Sequence, residues 1–233
     1  MRSKDRIGAI LLMGGEGKRF GSSIPKQFHL LQNKRVYRYA LDTFLESGFF
    51  DEILLVCPYS WKEEVQKEVG SLAQVVEGGS TRQESSYAGL KNFQIPPRIV
   101  MIHDAVRPFV SQKILQQNIE TALLKGAVDT CIPSTDTLIF SPDNQTIETV
   151  ANREQYLRGQ TPQTFFYDWI LEAHEKALQQ GIQNATDDCR LVLNLGKSIS
   201  IIEGNERNFK ITSEFDLTIA EIFLSMQSSL LSK

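Results

Sequence analysis

Short apolar runs alternate along this chain with segments whose apolar residues recur every three or four positions. The runs at 7–13, 53–57, 74–77, 99–103, 127–133 and 198–203 are bounded by polar or glycine-containing stretches, which predicts buried strands. The segments between and after them predict helices around 36–47, 61–69, 81–92, 111–124, 167–180, 187–195 and 214–226. Ser80 or Thr81, followed by Glu84, supplies an N-terminal signature for the third helix. Strand and helix in alternation predict an α/β fold, a mostly parallel sheet with helices on both faces. The rhythm breaks at about 134–160. There 137–140, the turn Ser141-Pro142-Asp143-Asn144 and 146–150 read as a β-hairpin, an arm inserted in a single domain spanning 1–233. A hairpin on an α/β sheet has edges that want covering, and a partner subunit is one way to cover them, so a homodimer contact is expected at this arm.

Composition narrows the picture. The 233 residues are 41% hydrophobic and 23% charged, ordinary for a globular chain, and the net charge of −3 argues against a general nucleic-acid binder. Cys57, Cys131 and Cys189 are far apart and form no C-x-x-C pair, which predicts neither a zinc knuckle nor a disulfide framework. No stretch approaches the roughly 18 apolar residues of a membrane span, and the basic start lacks a signal-peptide pattern, so the expected location is the cytoplasm.

The most informative segment is 9–21, followed by Pro25-Lys26-Gln27. A strand-like run empties into Gly14, Gly15 and Gly17 and then delivers Lys18, Arg19 and, further on, Lys26. Glycines admit a ligand close to backbone amides, and the cations neutralise a polyphosphate. The loop is neither of the two common phosphate loops. Leu12 and Arg19 break the Walker pattern, and Phe20 stands where the dinucleotide fingerprint needs its third glycine. His103-Asp104-Ala105-Val106-Arg107-Pro108 follows another strand, at the end where α/β sheets bind ligands. Asp104 there either holds a metal-bound phosphate or a hydroxyl, or pairs with Arg107 to fix a turn. His103 reads as a satisfied strand-end histidine, and His29 and His174 as incidental. Gly78-Gly79-Ser80-Thr81-Arg82, with Ser85, also follows a strand and opens a helix. The segment 160–165 reads as a proline-fixed turn, Thr186 as a helix cap, and Arg153 and Lys210 as cations in polar loops.

In order, G-G-x-G-x-R, P-K-Q-F, G-G-x-T-R-x-x-S, H-D-A-x-R-P, D-T, a loop arginine, Q-T-P-Q-x-F, T-D-D and N-x-K-I-T resemble the cytidylyltransferases acting on 2-C-methyl-D-erythritol 4-phosphate, from about Ile7 to Glu221. The resemblance implies a Rossmann-like nucleotidyltransferase fold, a dimer clasped by an extended β-arm, CTP and Mg²⁺. It implies that Arg19 and Lys26 stabilise the α-phosphate in the transition state and that Lys18 assists with the triphosphate. Gly14, Gly15, Gly17, Gly78, Gly79, Arg82 and Ser85 would surround the nucleotide. Asp104 and Arg107 would lie on the sugar-phosphate and metal side, with Asp104 a possible Mg²⁺ contact. Thr137 and Arg153, from the partner's arm, would grip the substrate phosphate with Thr186 and Lys210. The segments 103–109, 126–130 and 158–160 resemble equally the sister enzymes for ribitol 5-phosphate, whereas Thr186-Asp187-Asp188 leans toward methylerythritol. A catalytically silent nucleotide-binding relative is disfavoured, because such a protein has no need of Arg19, Lys26, Arg153 and Lys210 together.

Overall fold

In the first strand alternate residues enter different cores: Ala9 and Leu11 face one cluster, Ile10 and Leu12 another, all essentially without exposure. A strand buried on both sides must sit at the centre of a sheet. The computed structural model describes residues 6–14 and 24–231. In chain order the elements are β1 (Ile7–Leu12), β2 (Leu30–Leu31), β3 (Lys34–Arg35), α1 (Val36–Ser47), β4 (Glu52–Cys57), α2 (Tyr59–Val69), β5 (Gln74–Glu77) and α3 (Arg82–Lys91). They continue with β6 (Ile99–Asp104), α4 (Gln112–Lys125), β7 (Ala127–Pro133), β8 (Ile139–Phe140), β9 (Thr149–Val150), β10 (Leu157–Gly159), β11 (Gln163–Phe166), α5 (Tyr167–Gln179), α6 (Asp188–Asn194), β12 (Ser200–Glu203) and α7 (Glu214–Leu231).

The main sheet runs β12–β7–β11–β6–β1–β4–β5, with β10 pairing the far end of β7. β1 lies parallel between β4 and β6, so Leu12 stands level with Val56 on one side and Asp104 on the other. The chain reverses its direction of travel across the sheet at β1 and β6, and the crevice beyond their carboxyl ends is where such sheets take ligands. α1, α2 and α4 cover one face through Tyr37, Leu41, Phe44, Val65 and Leu115. α3, α5 and α6 cover the other through Leu90, Tyr167, Ile170 and Val192. Each such side chain stabilises the fold by roughly 1.5–3 kcal/mol.

The structure adds β11, antiparallel to both β6 and β7, where the sequence suggests only a proline turn; Thr161–Pro162 is a cis peptide leading into it. β11 escapes hydrophobic patterning because half its anchorage is polar. Thr164 Oγ1 donates to Asn118 Oδ1 at 3.2 Å, Asn118 Nδ2 donates to Thr130 Oγ1 at 2.9 Å, and Thr130 Oγ1 donates to the Pro162 carbonyl at 2.6 Å. All three side chains are buried, so α4, β7 and β11 are tied by a satisfied polar network.

The hairpin forms but is paired over less of its length than the pattern suggests: β8 and β9 match only Ile139–Val150 and Phe140–Thr149. Its tip is set by Asp143, which accepts from the Gln145 and Thr146 amides and from the Ser141 and Thr146 hydroxyls, with Asn144 at φ 56°. Ile139, Phe140, Ile147 and Val150 are exposed. α7 packs Ala220 against Leu31, Val36 and Ile211 as its pattern predicts, while Phe215, Ile222 and Met226 face outward. Among the described residues no helix is long and apolar enough to cross a membrane.

The Asn118 network makes a direct prediction. Asn118→Ala strands the Thr164 hydroxyl and lowers stability by roughly 1–3 kcal/mol in urea unfolding. An unchanged midpoint would show that the network contributes nothing.

Candidate active site

Four strand ends converge at the crevice. Beyond β1, Met13 donates its amide to the Val56 carbonyl and leads to Gly14; beyond β5, Gly78 donates its amide to the Cys57 carbonyl at 2.8 Å. The start of α3 is built by Thr81, whose Oγ1 accepts from the Glu84 amide, while Glu84 reaches back to the Ser80 amide and hydroxyl. That return path forces glycine at 79, since an added Cβ would meet Glu84 Cβ at 2.3 Å. Ser85 lies under the turn, donating to the Gly79 carbonyl at 3.3 Å, and its Oγ would stand 2.9 Å from a Cβ at Gly78 and 3.4 Å from one at Gly14. Gly14, Gly78 and Ser85 thus form one wall, bare of side chains, at the end of the sheet.

Asp104 occupies the end of β6 and is nearly buried. Its Oδ1 accepts from Arg82 Nε at 3.3 Å and its Oδ2 from Lys210 Nζ at 2.7 Å. Burial alone would raise this carboxyl, but the charges of Arg82 and Lys210 outweigh it and hold Asp104 well below the usual carboxylate range. Pairing with Arg107, the simpler alternative from sequence, is not what forms. Arg107 donates instead to the Asn208 carbonyl at 2.9 Å and to the Gly159 carbonyl at 3.4 Å. Asn208, fully buried, donates to Gln160 Oε1 and to the Thr161 carbonyl, which fixes the loop that carries Lys210.

Arg82 is held between two carboxylates. Its Nη1 donates to Asp188 Oδ2 at 2.6 Å while its Nε holds Asp104. Burial disfavours its charge, yet Asp188 and Asp104 more than offset this and raise its pKa.

His103 is buried and neutral in its resting arrangement. Nε2 donates to the Arg107 carbonyl, Nδ1 accepts from Thr161 Oγ1, and that hydroxyl accepts from the Asp104 amide. Burial pushes its pKa down to about 4 against the weaker pull of the Arg107 carbonyl and Asp104. It is a structural histidine, as its sequence context suggests.

Lys26 opens a single 3-10 turn, Lys26–Phe28. Gln27 donates to the Met13 carbonyl at 2.5 Å, and Phe28 stacks on Trp61 with ring centres 4.1 Å apart. Gln27 thus moors Lys26 to the end of β1 and Phe28 moors it to α2. Gly15, Gly17, Lys18 and Arg19 lie outside the described residues.

Thr137 and Arg153 are exposed on the arm, Arg153 Nη1 donating to the Thr135 carbonyl at 3.1 Å. Among the described residues no hydrogen bond joins either to the Asp104 cluster. Thr186 is exposed, and the cap of α6 is Asp187, whose Oδ1 accepts from the Cys189 amide at 2.7 Å. The cap falls one residue later because Gln163 Nε2 seizes Asp187 Oδ2 at 2.6 Å and Asp129 Oδ1 at 3.1 Å, bridging two carboxylates. Burial, with Asp187 nearby, pushes Asp129 up to about 6 despite the Gln163 bond. The sequence carried a trace of Gln163 and Asp187 in the Q-T-P-Q and T-D-D motifs, but their meeting with Asp129 depends on the unforeseen β11.

Opposed proton linkages follow. The depressed pKa of His103 costs stability as pH falls from its ordinary 6.5 toward about 4, because only the unfolded state gains that proton. Asp129 works the other way, gaining stability as pH falls from about 6 toward its ordinary 3.8. His103→Gln removes the first contribution, so thermal melts should show this variant losing less stability than the parent between about pH 7 and pH 5. Equal losses would contradict the buried neutral ring.

The sequence profile of the family described as 2-C-methyl-D-erythritol 4-phosphate cytidylyltransferase matches residues 7–226. A ribitol-5-phosphate cytidylyltransferase of Lactiplantibacillus plantarum is 34% identical over 95% of this chain and 100% of its own. A 4-diphosphocytidyl-2C-methyl-D-erythritol synthase from Anaerococcus prevotii superposes with a TM-score of 0.83 at 27% identity, over 96% of this chain and all of that one. The 2-C-methyl-D-erythritol 4-phosphate cytidylyltransferase of Thermus thermophilus gives 0.78 at 31% identity, over 93% and 98%. With the glycine wall and the ion-paired Asp104 at the carboxyl end of its sheet, this chain belongs to the 2-C-methyl-D-erythritol 4-phosphate cytidylyltransferase family and is a nucleotidyltransferase of the cytidylyl type.

Proposed function

We propose that the enzyme transfers CMP from CTP to 2-C-methyl-D-erythritol 4-phosphate, releasing pyrophosphate and forming 4-diphosphocytidyl-2-C-methyl-D-erythritol, a step toward isoprenoid precursors. The observation that carries this reading is a crevice lined by cations whose strand-end histidine is not available as a base. Lys210 and Arg82 flank Asp104, Arg107 lies beside them, and His103 is sealed in its own hydrogen bonds. A phosphate monoester dianion needs no general base to attack the α-phosphorus of CTP. Its requirements are alignment and neutralisation of charge, which fixed cations provide. The bond between the acceptor's phosphate oxygen and the α-phosphorus forms as the α-phosphorus–oxygen bond to pyrophosphate breaks, with Lys26 and Arg19 stabilising the charge at the α-phosphorus. Gly14, Gly15, Gly17, Lys18, Gly78, Gly79 and Ser85 line the CTP side. Lys210, Arg107 and Thr186 take the acceptor phosphate, with Thr137 and Arg153 arriving on the arm of a second copy in a homodimer.

Mg²⁺ belongs to the triphosphate in this scheme. Among the described residues no group of three or more His, Cys, Asp or Glu side chains is placed to hold a metal, and both oxygens of Asp104 are taken by cations. The residues present do not fit a resident Mg²⁺. The ion would arrive as a companion of CTP, held by its phosphate oxygens.

A second acceptor is favoured by one observation. The 34% identical relative is named for ribitol 5-phosphate, and Asp129, in the segment shared with that sister family, lies near enough to Arg107 to influence its charge. Pyrophosphate release with CTP and Mg²⁺ separates the readings when the two acceptors are run side by side. Turnover with methylerythritol 4-phosphate alone is expected; turnover with ribitol 5-phosphate alone moves the enzyme to polyol activation by the same chemistry.

Lys26→Ala should lower turnover by roughly 10²–10³-fold without altering the melting temperature. If the arm serves the neighbouring subunit, mixing Lys26→Ala with Arg153→Ala protein restores part of the activity through hybrid sites. No recovery after demonstrated subunit exchange would place the arm over its own site.

A further inference from the structure

His174 carries no role in the sequence pattern, yet it ends a continuous chain of polar contacts that begins at the reaction crevice. It sits on α5 with no exposure, and its Nε2 lies 3.0 Å from Asp188 Oδ1. Ser86 Oγ donates to the same oxygen at 2.9 Å. Both lone-pair directions of Oδ1 are thereby engaged, and Oδ2 is left to Arg82 Nη1 at 2.6 Å. Arg82 Nε then reaches Asp104 Oδ1 at 3.3 Å, and Asp104 Oδ2 receives Lys210 Nζ at 2.7 Å. The order of charge from the crevice inward is Lys210 positive, Asp104 negative, Arg82 positive, Asp188 negative, with the His174 N–H closing the far end.

We propose that His174 is a positioning residue for the acceptor side of the reaction, setting Lys210 through Asp188, Arg82 and Asp104; this rests on the reading that Lys210 meets the acceptor phosphate. The guanidinium is a rigid planar fork, so the direction in which Asp188 holds Nη1 also fixes the direction in which Nε presents to Asp104. Asp188 can swing about its own χ angles unless Oδ1 is held as well, and His174 and Ser86 hold it. The ring is kept in place although its Nδ1 is buried without a hydrogen-bond partner among the described residues. Tyr87 stacks on it with ring centres 5.8 Å apart. An apolar recess of about 110 Å³, walled by Tyr87, Ala88, His174 and Leu178, gives a replacement side chain room to settle.

The test compares His174→Leu, which fills the site without a donor, with His174→Gln, whose amide nitrogen replaces Nε2. Steady-state rates are taken with CTP and whichever acceptor the parent enzyme uses, alongside melting temperatures. For His174→Leu the expected result is a loss of roughly 3- to 30-fold in kcat/KM for the acceptor, with KM for CTP within about twofold of the parent. His174→Gln should recover most of it. Ser86→Ala removes the other donor to the same oxygen and should shift the acceptor in the same direction, which keeps the test alive if His174→Leu does not fold. Calorimetric titration with inorganic phosphate reads the same effect without turnover, and His174→Leu should bind it several-fold more weakly. A parent enzyme inactive with both acceptors would defeat the acceptor reading while phosphate binding still decides this one. Equal losses for Leu and Gln, parallel rises in both KM values, or unchanged phosphate binding in folded variants would overturn the proposal.

Discussion

The site turns on one buried carboxylate, Asp104, caught between two cations at the end of β6. An ionised group with so little water around it is tolerable only when both oxygens are matched, and removing either partner leaves an uncompensated charge. That requirement reaches well beyond the pair. Arg82 must enter at the first turn of α3, and that start is built by Thr81 and by Glu84 folding back on Ser80, which is why glycine stands at 79. Lys210 must return from a loop far along the chain, so Asn208 is buried and bonded to Gln160 and Thr161 to hold that loop. Helix, strand and loop are registered to one another by electrostatics that the hydrophobic core by itself does not specify.

The same economy leaves His103 no free ring nitrogen. His103 lies beside Asp104 in sequence, but its two ring nitrogens are spent on the Arg107 carbonyl and the Thr161 hydroxyl. Its ring also packs near Phe44, tying the strand end to the core under α1. Repulsion among Arg82, Arg107 and Lys210 is relieved by Asp104, whose charge all three cations favour.

Much of this was legible in advance, and the exceptions share a cause. The central strands were visible as short continuous apolar runs, because both of their faces are buried, and the helices through apolar residues recurring every three or four positions. Ends shifted by a residue or two where caps decide them, as at Asp187 rather than Thr186. β11 was missed because Thr164 and Gln163 face polar partners on α4, β7 and α6. The meeting of His174 and Asp188 was unreadable for the same reason: a buried hydrogen-bonded pair looks in sequence like two surface residues.

By itself the sequence determined the layer order, the glycine turns at the strand ends and the family, since motif order and local backbone demands are written in consecutive residues. Only the tertiary structure decided which charges meet. Asp104 and Lys210 are separated by 106 positions, as are Arg82 and Asp188, and nothing local selects those pairs over Asp104 with Arg107. Partner choice among buried charges is set by which orientations the packed sheet and helices leave open, and that is a property of the assembled fold.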